Sequence, residues 1–304
     1  MKILLIVGGW SSERDVSLSA MPGLKSAMEE LGHTVTVFDL LTGFSGLVET
    51  ARKHDFAFIN LHGTPGEDGL VQALLDYAGC PYQGAGPAGS FLALHKAAAK
   101  QIFRDLGLPT ADWEYLPRAP EKGWEPRIAY PLFVKSCMGG SSLRLGRVAC
   151  RKELDDLLDD IFAHGEGAML EPALPGQDVT CAVVGGEALP PILIVPQMGD
   201  YFDFKSKYSA GGAKEICPAP IPAEVTRKMQ EYTLKAVEAL GLHGYGRADF
   251  IMGSDGSLHI LEVNTIPGMT AASLVPKAAQ AYGLTFPQFA QRLIDLGLAA
   301  HRKK

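Results

Sequence analysis

Two carboxylates, an amide and a guanidinium crowd into one short stretch, Arg247-Ala-Asp249-Phe-Ile-Met-Gly-Ser-Asp255-Gly256-Ser-Leu-His-Ile-Leu-Glu262-Val-Asn264. Asp255-Gly256 predicts a two-residue hairpin loop, because both positions favour positive φ. With that loop Asp249 lies across from Glu262 and Arg247 across from Asn264. Side chains two apart share a strand face, so all four project together. Facing carboxylates repel unless a cation lies between them. Hard oxygen donors of this kind suit Mg²⁺ or Mn²⁺, with phosphate oxygens completing the shell. The plainer alternative is a solvated strand face closed by an Arg247–Asp249 ion pair.

A second group has phosphate character. Pro131-Leu-Phe-Val-Lys135 reads as a strand ending in a charge, followed by Met138-Gly-Gly-Ser-Ser142 and another strand. A small-residue loop offers backbone N–H groups and hydroxyls to phosphates, and Lys135 would neutralise them; an ordinary surface hairpin is the alternative. His62-Gly-Thr-Pro-Gly-Glu-Asp-Gly69 follows a strand and precedes a helix, at the edge of an α/β unit where ligands bind. Gly84-Ala-Gly-Pro-Ala-Gly89 fits G-x-G-x-x-G literally but lacks a long preceding strand and a distal acid, and Pro87 removes a donor. A linker is the expected reading.

The elements that must position these groups alternate. Strands are predicted at 2–8, 35–39 and 56–61, with helices at 22–31 and 69–78, giving a small doubly wound unit closing near residue 88. A helix over 90–106, strands at 129–135, 143–148 and 168–172 and a helix at 152–162 form an α+β block. Strands at 180–184 and 188–195, a helix at 223–240, the 247–264 strand pair and helices at 273–281 and 287–296 complete the chain. Residues 199–214 read as a mobile loop.

At 304 residues, 47% apolar and 20% charged, the chain is a folded protein of more than one domain. Its 28 basic and 34 acidic residues, net −6, argue against a nucleic-acid surface. No apolar run could span a bilayer, and the first residues do not read as a signal peptide, so a cytoplasmic location is expected. Five widely spaced cysteines without C-x-x-C are expected to be reduced.

Together the motifs resemble the D-alanine–D-alanine ligases of the ATP-grasp superfamily along nearly the whole chain. The pieces occur in family order: Gly8-Gly-Trp-Ser-Ser-Glu13, His62-Gly, Gly66-Glu-Asp-Gly69, Pro81-Tyr-Gln-Gly84, His95-Lys96, Lys135 and Gly140-Ser-Ser142. Then come Glu171, Gly176-Gln-Asp178, Lys207-Tyr208, Arg247-Ala-Asp249 and Glu262-Val-Asn264-Thr-Ile-Pro-Gly-Met-Thr270 with Ser273-Leu274. The resemblance implies α/β and α+β architecture: an N-terminal Rossmann-like pre-ATP-grasp domain (1–88), then central (89–177) and C-terminal (178–304) ATP-grasp domains. It implies ATP, Mg²⁺ or Mn²⁺ (two ions), D-alanine as substrate, a homodimer, and no nucleic-acid or membrane partner. The γ-phosphate would pass to the first D-alanine's carboxylate, and the second D-alanine's amine would attack the acyl phosphate. The product would serve peptidoglycan synthesis.

By position, the resemblance implies metal ligands at Asp249, Glu262 and Asn264, and phosphate lysines at Lys96 and Lys135. It implies further nucleotide contacts at Ser142, Glu171, Leu174, Asp178 and Lys207. Arg247 and the Gly268 amide would stabilise the oxyanion. Glu13, Ser141 and Tyr208 would join three parts of the chain around substrate, with His62, Ser273 and Leu274 on the substrate side. The chain departs from the family pattern at His95, Gly139, Arg144, Pro172 and Asp178, where the family usually has an acid, an acid, glycine, lysine and glutamate. A ligase for another amino-acid or hydroxy-acid acceptor, or a nucleotide-binding protein without turnover, are the alternatives.

Overall fold

The computed structural model describes residues 1–140, 144–197 and 211–302. Three sheets follow one another along the chain. The first is parallel, in the order β2-β1-β3, from β1 (Lys2–Val7), β2 (Thr34–Asp39) and β3 (Phe56–Ile59). Ile3 to Val7 and Phe56 to Ile59 are all buried, as unbroken apolar runs in a parallel sheet should be. Helix α1 (Arg14–Glu30) covers this sheet with Ser17, Ala20, Leu24, Ala27 and Met28. It begins at Arg14 rather than at the expected Pro22, which lies inside it. Proline in a helix forfeits one backbone bond. Here the buried face and the Val16 and Ser17 amides donating to the Glu13 carbonyl (3.0 and 3.2 Å) outweigh that loss. Helices α2 (Phe44–Ala51), which the periodicity did not announce, and α3 (Leu70–Ala78) complete the unit.

The expected single helix at 90–106 is two. Helix α4 (Pro87–Leu94) starts with Gly86 as cap and Pro87 in its first turn, and α5 (Lys96–Asp105) follows after His95 leaves helical geometry (φ −79°, ψ 86°). The glycine-rich stretch is therefore a helix start. A side chain at Gly89 would meet the Leu240 carbonyl at 3.0 Å, so this glycine serves close packing.

The second sheet is antiparallel, in the order β4-β7-β5-β6: β4 (Glu114–Leu116, not anticipated), β5 (Leu132–Ser136), β6 (Leu145–Val148) and β7 (Ala168–Pro172). Helix α6 (Arg151–Ala163) packs on it through Leu154, Leu158 and Ile161.

The third sheet is 6-stranded and antiparallel: β8 (Gln177–Val184), β9 (Glu187–Ala188), β10 (Ile192–Pro196), β11 (Ala213–Ile216), β12 (Tyr245–Met252) and β13 (Leu258–Asn264). Pro190-Pro191 splits the single strand expected at 188–195, since proline cannot donate to the ladder. Both faces are buried. Val179, Cys181 and Val183 pack under α7 (Ala223–Ala239), while Ala182 and Val184 point into a core shared with Ile3 and Leu5 of the first sheet. That shared core also takes Val275 and Ala278 from α8 (Leu274–Ala281) and Phe289, Leu293 and Ile294 from α9 (Phe286–His301). The five cysteines are free thiols; Cys150 is exposed, the others buried or half-buried.

Candidate active site

The β12–β13 hairpin carries the site, and its register is instructive. Arg247 pairs with Asn264 and Asp249 with Glu262, as expected, but Phe250 pairs with Ile260 and Met252 with Leu258. The loop is not the expected two residues. The Gly253 amide donates to the Ser257 carbonyl (2.8 Å), leaving Ser254-Asp255-Gly256 as the loop, and of these only Gly256 has positive φ (+80°). An unpaired residue at Leu261 then restores the register beyond it. Such a bulge re-aims side chains, and Leu261 and Glu262 both line the same cavity.

Asp249 accepts two bonds from the Arg247 guanidinium (2.8 and 2.7 Å) and one from the Thr180 hydroxyl (2.6 Å). The ion pair named as the plainer alternative therefore exists, beside the opposed Glu262. Asn264 Oδ1 accepts from the Ile266 amide (3.0 Å) and keeps a second lone pair. Two carboxylates and an amide oxygen form a hard donor set that fits Mg²⁺ or Mn²⁺ only with further oxygens from a ligand. Among the described residues no group of three acidic, histidine or cysteine side chains could hold a metal alone.

Lys96 opens α5 and reaches this hairpin: its ammonium lies 3.3 Å from Glu262 Oε2 and donates to the Gly139 carbonyl (2.6 Å). His95 caps the same helix, Nδ1 accepting from the Ala98 amide (3.2 Å), so the imidazole does the work of the acid usual there. One turn on, buried Lys100 pairs with Glu171, which also pairs with Lys135. Burial alone would raise the Glu171 carboxyl, but the flanking Lys135 and Lys100 hold it below its ordinary value. Burial works against the Lys135 ammonium, yet Glu171 and Glu262 raise it overall.

The first sheet delivers the opposite wall. His62 Nδ1 donates to the Ile266 carbonyl (3.0 Å), which leaves Nε2 as a buried lone pair with no protein partner among the described residues. Burial, with the nearby Arg247 charge, pushes this imidazole down to about 4, so it is neutral. Glu67 accepts from the Gly63 amide (2.8 Å) and is pushed well above the ordinary carboxylate range by burial and by Glu13. Glu13 wedges between Gly63 and Gly140: a Cβ on Gly140 would stand 2.4 Å from its Oε2. Ser273 sits at the N-cap position of α8 without a side-chain bond to the helix; its hydroxyl accepts from the Thr270 amide (3.1 Å) in the preceding loop and, with Leu274, lines the same space.

Two cavities result. One of about 450 Å³ is lined by Glu13, His62, Arg247, Asn264, Gly268, Ser273 and Leu274. The other, about 580 Å³, is lined by Lys135, Glu171, Leu174, Asp178 and Asp249. They share Lys96, Gly139, Gly140 and Glu262. Every anticipated residue that is described lines one cavity or both. Ser141, Ser142, Lys207 and Tyr208, like most of the loop expected at 199–214, lie outside the described residues. Sequence reasoning missed Glu67, Lys100 and Thr180. Lys100 stands four residues after Lys96 on one helix face, and Thr180 two after Asp178 on one strand face; those spacings were the available signal.

Two further departures have physical accounts. Arg144 holds φ +49°, a conformation favouring glycine, and its guanidinium is bonded to Glu166 (2.7 Å). A side chain at Gly139 would meet Ser136 at 2.8 Å, so an acid does not fit there unless the loop shifts.

A family model described as D-ala D-ala ligase C-terminus matches residues 102–295. A D-alanine–D-alanine ligase of Desulfovibrio desulfuricans is 63% identical over 304 residues, covering 100% of this chain and 99% of that protein. One of Lawsonia intracellularis is 55% identical over 303 residues, covering 100% of both. Among solved structures, a D-alanine–D-alanine ligase from Bacillus anthracis complexed with ATP matches with a TM-score of 0.88 at 30% identity, covering 100% of this chain and 99% of that one.

Proposed function

The chain belongs to the D-alanine–D-alanine ligase family, and from that premise we infer that its joined cavities couple ATP hydrolysis to formation of D-alanyl-D-alanine for peptidoglycan. The observation that carries this reading is the shared wall. Among the described residues, the larger cavity, read as the nucleotide site, and the smaller one, read as the amino-acid site, share Lys96, Gly139, Gly140 and Glu262. That is where a phosphoryl group must pass, and such transfer depends on positioning and charge neutralisation.

In this reading Glu171, Leu174 and Asp178 hold adenine and ribose, and Lys96 and Lys135 hold phosphates, with Ser142 and Lys207 assigned there by sequence position. Asp249, Glu262 and Asn264 would hold Mg²⁺ or Mn²⁺, two ions by the family likeness, which when bound would screen charge on the transferring phosphate. A carboxylate oxygen of the first D-alanine attacks the γ-phosphorus as ADP leaves. The amine of the second D-alanine, seated at Ser273 and Leu274, attacks the acyl carbon and loses a proton, and phosphate departs. Arg247 and the Gly268 amide face the oxyanion that forms between these events. Glu13 holds the glycine loop beside the first substrate, with Ser141 and Tyr208 as its proposed partners, and neutral His62 presents a lone pair.

The proposed domain limits, 1–88, 89–177 and 178–304, are supported by the three sheets, although the first limit cuts α4 and β8 begins at Gln177. A cytoplasmic homodimer is proposed on the family likeness; no helix among the described residues is long and apolar enough to cross a membrane.

The test is a paired measurement of ADP and dipeptide over D- and L-amino acids and D-lactate. One dipeptide per ADP with D-alanine, and little ADP without it, is expected. Equal ADP release without an amino acid, or preference for another acceptor, would overturn the assignment.

A further inference from the structure

Lys96 stands where the two cavities meet, and its ammonium is confined from two sides. Its own amide donates to the Cys137 carbonyl (3.1 Å), its Nζ donates to the Gly139 carbonyl (2.6 Å), and Glu262 Oε2 lies 3.3 Å away. The residue is only 7% exposed. Asp249, the other candidate carboxylate, is engaged by Arg247 and Thr180. Near this hairpin and Glu171, the cations Lys96, Lys100, Lys135 and Arg247 face the carboxylates Glu171, Asp249 and Glu262. These cations outnumber the three carboxylates, so the set offers no excess negative charge to a divalent cation arriving alone.

We propose that Lys96 couples nucleotide and divalent-cation binding, because its ion pair with Glu262 holds the position a divalent cation needs until phosphate gives Lys96 a new partner. The proposal rests on the metal and nucleotide assignments above. A divalent cation arriving alone must displace the ammonium from Glu262 and leave it only the neutral Gly139 carbonyl in a nearly buried position, which is costly for a charge that loses its carboxylate partner. Phosphate arriving with the cation takes over Lys96 and releases Glu262. Each ligand then strengthens the other, as thermodynamic linkage requires. The gate is built from side-chain contacts, in which Glu262 also feels the Lys135 charge, and needs no movement of the fold.

Mn²⁺ binding to the full chain without nucleotide, followed by the electron-paramagnetic signal of free Mn²⁺, tests this. Lys96→Met should bind Mn²⁺ about tenfold more tightly than the wild type, within the usual range of coupling between sites. Adding Glu262→Gln to that variant should remove the gain. Should Lys96→Met fail to fold by circular dichroism, Lys96→Gln carries the same expectation. Mn²⁺ affinity unchanged or weakened in the folded Lys96 variant overturns the gate while leaving the metal assignment standing. A gain that survives Glu262→Gln instead shows that the ion binds elsewhere, and overturns the metal assignment itself.

Discussion

Arg247 shows why residue type matters more than charge at this site. Its planar fork makes two bonds to Asp249 while lying beside Asn264, and an ammonium cannot copy that geometry. Arg247→Lys should lower kcat about 100-fold with little change in the KM for D-alanine, since the oxyanion exists only near the transition state. Steady-state kinetics checks this; unchanged kcat would reduce Arg247 to a structural partner of Asp249. His62 makes a pH prediction. Its pKa falls from about 6.5 unfolded to about 4 folded, so the unfolded chain binds the extra proton between those values. Its contribution to stability is complete above pH 6.5 and is lost as pH falls toward 4, on the order of 3 kcal/mol. Urea unfolding of the wild type against His62→Asn from pH 7 to 4.5 should show the wild type losing more. Arg247, Asp249, Glu262, Asn264 and Lys135 stand out in the sequence by chemistry and spacing, whereas Lys96, Glu171 and Asp178 were marked only by the family resemblance. Glu67 was not legible, because its altered ionisation comes from burial beside Glu13, which no local pattern records.

The hairpin element was read correctly at one end and wrongly at the other. Asp255-Gly256 predicted a two-residue loop; the loop takes three, and the bulge at Leu261 absorbs the difference before Glu262. Bulges depend on neighbouring strands, so the sequence of a hairpin alone does not reveal them. The break at His95 was hidden for a related reason, since an imidazole capping a helix is an unusual substitute for an acid. The glycine loop offers a sharper test. A methyl group at Gly140 would collide with the movable end of Glu13 rather than with backbone. Gly140→Ala should therefore keep the midpoint of urea unfolding nearly unchanged and cut kcat/KM for D-alanine about tenfold or more, since small displacements of positioning groups are expensive. Lost stability with intact activity would contradict the placement of Glu13.

At the scale of the whole molecule, strand and helix alternation announced a doubly wound unit and an α+β block, and the family resemblance implied three domains, but neither said how they meet. The core joining Ile3, Leu5 and Phe58 to Val184, Tyr245 and Leu293 unites residues from both ends of the chain. Helix α9 is the seam. Gly297 on it lets the helix approach β3, and a side chain there would stand 2.4 Å from the Tyr82 carbonyl and 2.8 Å from the Phe56 ring. Gly297→Ala should destabilise the protein by about 1–3 kcal/mol through overpacking, read from denaturant unfolding. A neutral or stabilising result would mean that α9 does not seat against the first unit. The joined cavities depend on that seat, because the first sheet supplies Glu13 and His62 while β12 and β13 supply Arg247 and Asn264. In the proposed reaction a phosphoryl group crosses between them onto a carboxylate. D-alanine labelled with oxygen-18 in its carboxylate, turned over with unlabelled ATP, reports that transfer. One labelled oxygen should appear in the inorganic phosphate for each dipeptide formed; phosphate free of label alongside normal dipeptide yield would contradict it.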